Sequence, residues 1–246
     1  RWGGVTSMAF RDASASPLRL PSIFGSSMVL QHSVPVEVWG VAPAGAIVTV
    51  AIKERGVEAH GMADGSSGAW TATLPPQAPS LSPVTLSVTC PGAPSVNMSD
   101  VVFGEVLVCS GQSNMGLGVS GTVNASAVIA EAGTHISGLR MFQVAGLDPE
   151  YCNVTEPQTD LAVDIPWSRP APVNANAADG SGRVLRSPAN FSATCYYTGV
   201  AMVRRHPAVP VGLVATSWGG TAIAPWMARS ALRACGELPG RQDPEA

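Results

Sequence analysis

The chain has 246 residues, 46% hydrophobic and 13% charged, with 14 basic against 17 acidic side chains and a net charge of -3. A composition this apolar buries a core and excludes a disordered linker, and the absence of positive excess excludes a surface built to hold nucleic-acid phosphates. Lys53 is the only lysine and no apolar run approaches the ~20 residues of a membrane span, so neither an anionic membrane surface nor a bilayer is an expected partner.

Twenty-six glycines and 21 prolines punctuate the chain and favour short strands with frequent turns. Residues 1–20 show no sustained periodicity and read as an irregular leader. The chain starts at Arg1 rather than Met, and no signal-like segment precedes the first folded stretch, so a longer natural N-terminus is expected. Strands are expected at Met28 to Leu30, Val34 to Trp39, Ile47 to Ile52, Trp70 to Leu74 and Val84 to Thr89. Between them stand Pro43-Ala44-Gly45, the run Asp64 to Gly68, and Pro75-Pro76. Turn chemistry at this spacing predicts an all-β, sandwich-like module over residues 21–100. Trp39 and Trp70 fall in predicted strands and read as core fillers rather than sugar platforms.

The pattern changes after Asp100. Val101 to Cys109 is a nearly continuous apolar run, as in a strand buried on both faces of a parallel sheet, and the polar turn Ser110-Gly111-Gln112-Ser113-Asn114 follows it. Val119 to Ala132 is a weak helix candidate. Residues 133–190 carry six prolines and read mostly as loop. Phe191, Cys195, Gly199, Met202 and Val203 recur at helical spacing, with Arg204, Arg205 and His206 in the last turn and Pro207 as the stop. Val209 to Ala215 is a second buried-type strand, closed by Thr216-Ser217-Trp218-Gly219-Gly220-Thr221, and a further helix is expected beyond it. Residues 101–235 therefore read as an α/β domain with parallel strands, and 236–246 as a polar tail.

Cysteines at 90, 109, 152, 195 and 235 include no C-x-x-C pair, so no metal site is expected; two disulfides and one free thiol are possible, with the pairing open. Sequons at Asn97, Asn124, Asn153 and Asn190 suit a secreted or lysosomal protein. Asn190 precedes a helical pattern and reads as a helix cap, which leaves the other three as glycosylation candidates.

Ligands of open α/β sheets bind at the carboxyl ends of the strands, where both turns lie. Ser113 stands just past the first strand, a position suited to a nucleophile with backbone N–H donors nearby, and Gly219 and Gly220 let a second set of N–H groups approach the same oxyanion. The competing reading is that Ser113 caps a helix and the glycines merely turn the chain; spacing alone favours it.

The full strings carry more. Gly104 to Met115, with Ser110-Gly111-Gln112-Ser113-Asn114-Met115 at its end, resembles the nucleophile block of the sialate O-acetylesterase family, within the SGNH (GDSL-like) hydrolases. Val211 to Thr221, followed by Pro225-Trp226, resembles that family's second block. Phe24-Gly25, Met28-Val29-Leu30-Gln31, Pro35-Val36 and Val38-Trp39-Gly40 are similar to the opening of its N-terminal β-domain. The resemblance implies a flavodoxin-like, three-layer SGNH domain with a β-domain attached, and a cofactor-free serine esterase. Ser113 would attack the O-acetyl ester of an acetylated sugar, typically an O-acetylated sialic acid. The Ser113 N–H and that of Gly220 or Gly219 would hold the oxyanion, and Gln112, Asn114, Trp218 and Thr221 are candidates for the substrate pocket.

The sequence departs from the family in lacking its D-x-x-H block, which supplies the histidine base, and its Gln-Gly-Glu block. His32, His60, His135 and His206 stand in other contexts. The expectation is an incomplete SGNH domain, the N-terminal part of an esterase or a truncated isoform, weak or inactive alone and with an exposed sheet edge. The alternatives are a non-catalytic glycan-binding remnant and an acyl transferase.

Overall fold

A computed structural model describes residues 18–134, 136–145, 160–172, 185–227 and 231–232. The start of the leader, the polar tail, His135, Cys152, Asn153 and Cys235 lie outside these residues.

Each apolar run of the first hundred residues becomes a strand: β1 (Val29–Gln31), β2 (Val36–Val41), β3 (Ile47–Ile52), β5 (Ala69–Leu74) and β6 (Ser80–Thr89), with β4 (Val57–Met62) added between β3 and β5. In β2 and β5 buried and exposed residues alternate, and the two pair antiparallel with Val38 opposite Ala72 and Gly40 opposite Trp70. The Asp64 to Gly68 turn works as its chemistry dictates. One Asp64 carboxylate oxygen accepts from the Ser66 hydroxyl and from the backbone N–H of Ser67 and of Ser66, which holds that carboxyl well below the usual range, and Gly68 takes the left-handed φ of +70°. Val38, Trp70 and Leu74 from the β2–β5 ribbon share one hydrophobic cluster with Val48, Val50, Leu86 and Phe103 of the larger sheet.

β7 (Val96–Gly111) is the spine of the molecule. Its first half pairs antiparallel with β6, its middle pairs parallel with β1, and its second half pairs parallel with β11 (Val211–Ser217) from Glu105 to Gly111. Position 100 lies inside this strand. Asp100 adopts a left-handed φ of 56°, and its side chain, 7% exposed, meets Arg169 at 2.6 Å and the 1%-exposed Arg140 at 3.5 Å, while Ser27 donates to it at 3.0 Å. Burial alone would raise the Asp100 pKa, but the Arg169 hydrogen bonds and the two guanidinium charges outweigh it and leave the carboxyl below its ordinary value.

Beyond β7 come α1 (Ser113–Gly116), α2 (Ala125–Ala130), β8 (Leu139–Val144), β9 (Val163–Pro170), β10 (Leu185–Arg186), α3 (Ala193–Arg205) and then β11. Among the described residues the large sheet runs β10-β9-β8-β11-β7-β6-β3-β4, with β1 also on β7. The result is a mixed, sheet-dominated α/β fold with few helices. Cys195, Tyr196, Gly199, Val200 and Val203 form the buried face of α3, in a cluster with Leu139, Met141 and Leu213 of the strands beneath. Burial raises the Tyr196 phenol to a pKa of about 12.

Several expectations are corrected. Within residues 133–190, read mostly as loop, the described residues include three strands, β8, β9 and β10. The prolines misled because Pro166 falls in β9 where the ladder with β8 shifts register, so its missing N–H breaks no regular pairing. The sheet is not purely parallel, because β9 runs antiparallel to β8. The helix expected over Val119 to Ala132 shrinks to a 3-10 turn at Val119–Gly121 and the short α2, as Gly121 and Thr122 interrupt it. After β11 the described chain makes a 3-10 turn at Ala224–Trp226. Trp70 is a core residue at 3% exposure, but Trp39 is not: it points from the opposite face of the ribbon and is 44% exposed. Leu18 leaves the leader and joins the core, where neighbouring Arg19 bridges to Val41. Asn190 does not cap α3. The helix starts later, and Ser192 Oγ accepts from Cys195 N–H at 3.3 Å.

Candidate active site

β7 and β11 end side by side. Ser110 lies opposite Thr216 and Gly111 opposite Ser217, and the Trp218 N–H then donates to the Gly111 carbonyl at 2.9 Å, so the two turns leave the sheet rim together. Gly111, at φ +150°, lets the chain reverse into α1, where a Cβ would stand 3.2 Å from the Met115 Cβ.

This brings the first-turn serine against the second-turn glycine. A Cβ built on Gly219 would lie 3.4 Å from Ser113 Oγ and 3.8 Å from its Cα. Gly219 thus lines the space beside the hydroxyl, while Gly220 takes φ +78° and has nothing within 4 Å of its own Cβ position. Ser113, Gln112 and Asn114 are exposed at the rim, as are Gly219 and Gly220. The helix-cap reading of Ser113 fails here: the capping residue is Gln112, whose Oε1 accepts from Ser113 N–H at 2.8 Å and from Ser113 Oγ at 2.6 Å. An amide oxygen therefore sits where both the hydroxyl proton and the candidate oxyanion donor point.

The other pocket candidates divide. Trp218 is half-buried beside the serine turn. Thr221 braces its own loop, donating to the Trp218 carbonyl at 2.8 Å and accepting from Trp226 Nε1 at 2.9 Å. Ser192, absent from the sequence candidates, donates to Met115 Sδ at 3.4 Å and joins the start of α3 to α1. The open cysteine pairing resolves to a Cys109–Cys195 disulfide, four residues before Ser113, and Cys90 is a buried thiol whose pKa burial raises. Their signal in the sequence was weak, because Ser192 and Cys195 lie some 80 residues from the turn they support.

No described histidine approaches Ser113. His32 sits 3.0 Å from Glu105, with its other ring nitrogen 2.7 Å from Ser33; His60 on β4 meets Thr49 of β3; His206 is the C-terminal cap of α3. Among the described residues no group of three His, Cys, Asp or Glu side chains could hold a metal, and no helix is long and apolar enough to cross a membrane. Of the sequons, Asn97 is exposed on β7, and Asn124 is exposed at φ 60° before α2 with its side chain making no capping bond.

The chain is 33% identical to the sialate O-acetylesterase of Rattus norvegicus over 92% of its own length, and 30% identical to that of Homo sapiens over 89%. The chain is a homologue of the sialate O-acetylesterases. It spans 40% of the length of these relatives. The crystal structure of a carbohydrate acetylesterase from Xanthomonas citri superposes with a TM-score of 0.70 at 28% identity, covering 87% of this chain and 44% of that one. No family model matches.

Proposed function

We propose that this chain carries the nucleophile and oxyanion parts of a carbohydrate O-acetylesterase, with Ser113 as nucleophile and an O-acetylated sialic acid as substrate. The observation that carries the reading is the approach of Gly219 to Ser113 Oγ across two chain turns. In this reading Ser113 Oγ bonds to the acetyl carbonyl carbon, and the carbon–oxygen bond to the sugar breaks. The serine proton passes through a base to the departing sugar oxygen, and water later frees acetate from the serine. The Ser113 and Gly219 or Gly220 N–H groups hold the oxyanion once Gln112 swings its amide away. The finer architecture belongs to the same proposal: an SGNH three-layer arrangement with an N-terminal sandwich. So does a secreted or lysosomal address, supported by the disulfide and by the exposed Asn97 and Asn124.

The described residues place no histidine beside Ser113, so in this reading the base comes from elsewhere and turnover without one is slow. Acetate release from an O-acetylated sialic acid, measured with and without added imidazole, tests the reading. Imidazole-dependent release that disappears in Ser113→Ala supports it, and identical rates in both proteins overturn it. A second reading, a binding-only chain, is favoured by one observation: Gln112 Oε1 engages both donors of Ser113.

A further inference from the structure

Away from Ser113, the β2–β5 ribbon frames a cleft of about 770 Å³, within the roughly 300–1,000 Å³ usual for small-molecule sites. Trp39 and Trp70 line it together with Thr71, Val96, Arg19 and Asp160. Val96 opens β7 and Gly111 closes it, so 16 residues of strand separate the cleft from the serine turn, up to about 50 Å at the rise of an extended chain.

The lining has a specific chemistry. Trp39 stays 44% exposed in a concave wall, and its ring is fixed by Phe24, edge-on with centroids 4.6 Å apart. Thr71 is its direct cross-strand neighbour, which sets a hydroxyl beside the ring. Trp70 is buried at 3% exposure and backs the cleft from the core side of the ribbon. Arg19 and Asp160 are exposed, and one Asp160 oxygen is already committed to the N–H groups of Ser22 and Leu161. A fixed aromatic face with a cross-strand hydroxyl beside it and polar groups at the margin matches a ligand that is apolar on one face and hydroxylated at its edges. A pyranose is such a molecule, whereas a fatty chain would cover the Thr71 hydroxyl and the polar margin without hydrogen-bonding to them.

We propose that this cleft is a saccharide-binding site separate from Ser113, with Trp39 as the platform for the C–H face of a pyranose in a β-linked oligosaccharide. β-Linked, equatorially substituted rings present the flat faces this stacking needs. The site does not rest on esterase chemistry: it would anchor a glycan whether or not Ser113 is reactive.

Isothermal titration of the 246-residue chain with chitotriose and with cellotriose tests this. The expected result is binding of at least one sugar, weakened about tenfold or more in Trp39→Ala, largely kept in Trp39→Tyr, and unchanged in Ser113→Ala. Trp39 is exposed, so a thermal melt of the alanine variant matching the parent separates lost binding from lost folding. The proposal is overturned if neither sugar binds, if Trp39→Ala binds as tightly as the parent, or if Ser113→Ala loses binding equally.

Discussion

Gly219 stands where any side chain would press on Ser113: its Cβ position is 3.4 Å from the serine Oγ. That distance is a tolerable contact for the fold, but it falls in the space an attacked carbonyl must use. Gly219→Ala should therefore fold like the parent yet lower the reactivity of Ser113 by about tenfold or more, because its methyl occupies the approach to the hydroxyl while the backbone N–H is kept. Gly220→Ala should do the reverse, costing about 1–2 kcal/mol of stability because alanine is strained at φ +78°. Thermal melts paired with fluorophosphonate labelling rates separate the two effects.

Gln112 holds both Ser113 donors through one amide oxygen. Gln112→Ala removes a competitor for the oxyanion site, and labelling of Ser113 should speed up by about two- to tenfold, the worth of one net hydrogen bond. Slower labelling would mean that the amide positions the serine instead of occupying it.

The Cys109–Cys195 disulfide closes a loop with a sequence separation of 86, which on chain-entropy grounds contributes about 4–5 kcal/mol by restricting the unfolded chain. Cys109→Ala with Cys195→Ala should lower the unfolding free energy, read from a chemical melt, by an amount in that range. Because Cys109 stands four residues before the serine, Ser113 labelling should also fall before global unfolding begins.

Asp100 holds two arginines and a serine at the joint of β7. Asp100→Asn keeps a residue that tolerates the left-handed backbone but removes the carboxylate charge facing the buried Arg140 and Arg169, and should cost about 3–5 kcal/mol in a chemical melt. With its folded pKa below the unfolded one, the Asp100 contribution is fully present above the unfolded value of about 4 and is lost as pH falls below it. The asparagine variant should therefore show a flatter acid limb in stability against pH.

The sequence disclosed the parts whose physics is local. The second half of β7, Val101 to Cys109, and β11 are legible as nearly continuous apolar runs, α3 as a 3.6-residue pattern, and the Asp64 turn as side chains bonding the nearest backbone. β8 was not legible because Arg140 interrupts Leu139-Met141-Phe142, and the partner that makes a buried arginine tolerable, Asp100, lies 40 residues upstream. β4 was missed because Glu58, His60 and Met62 face solvent and mask the alternation. At the site, the residues of both turns were readable, but their meeting depends on the parallel register of β7 with β11, which no local pattern encodes. The capping role passed to Gln112 for a similar reason, since its side chain folds back onto the next residue rather than outward.

The most direct test of the account is to treat the chain with a fluorophosphonate and map the adduct by mass spectrometry. An adduct on Ser113, absent from Ser113→Ala and slowed in Gly219→Ala, is the predicted result; no adduct, or one on another residue with Ser113 untouched, would contradict it.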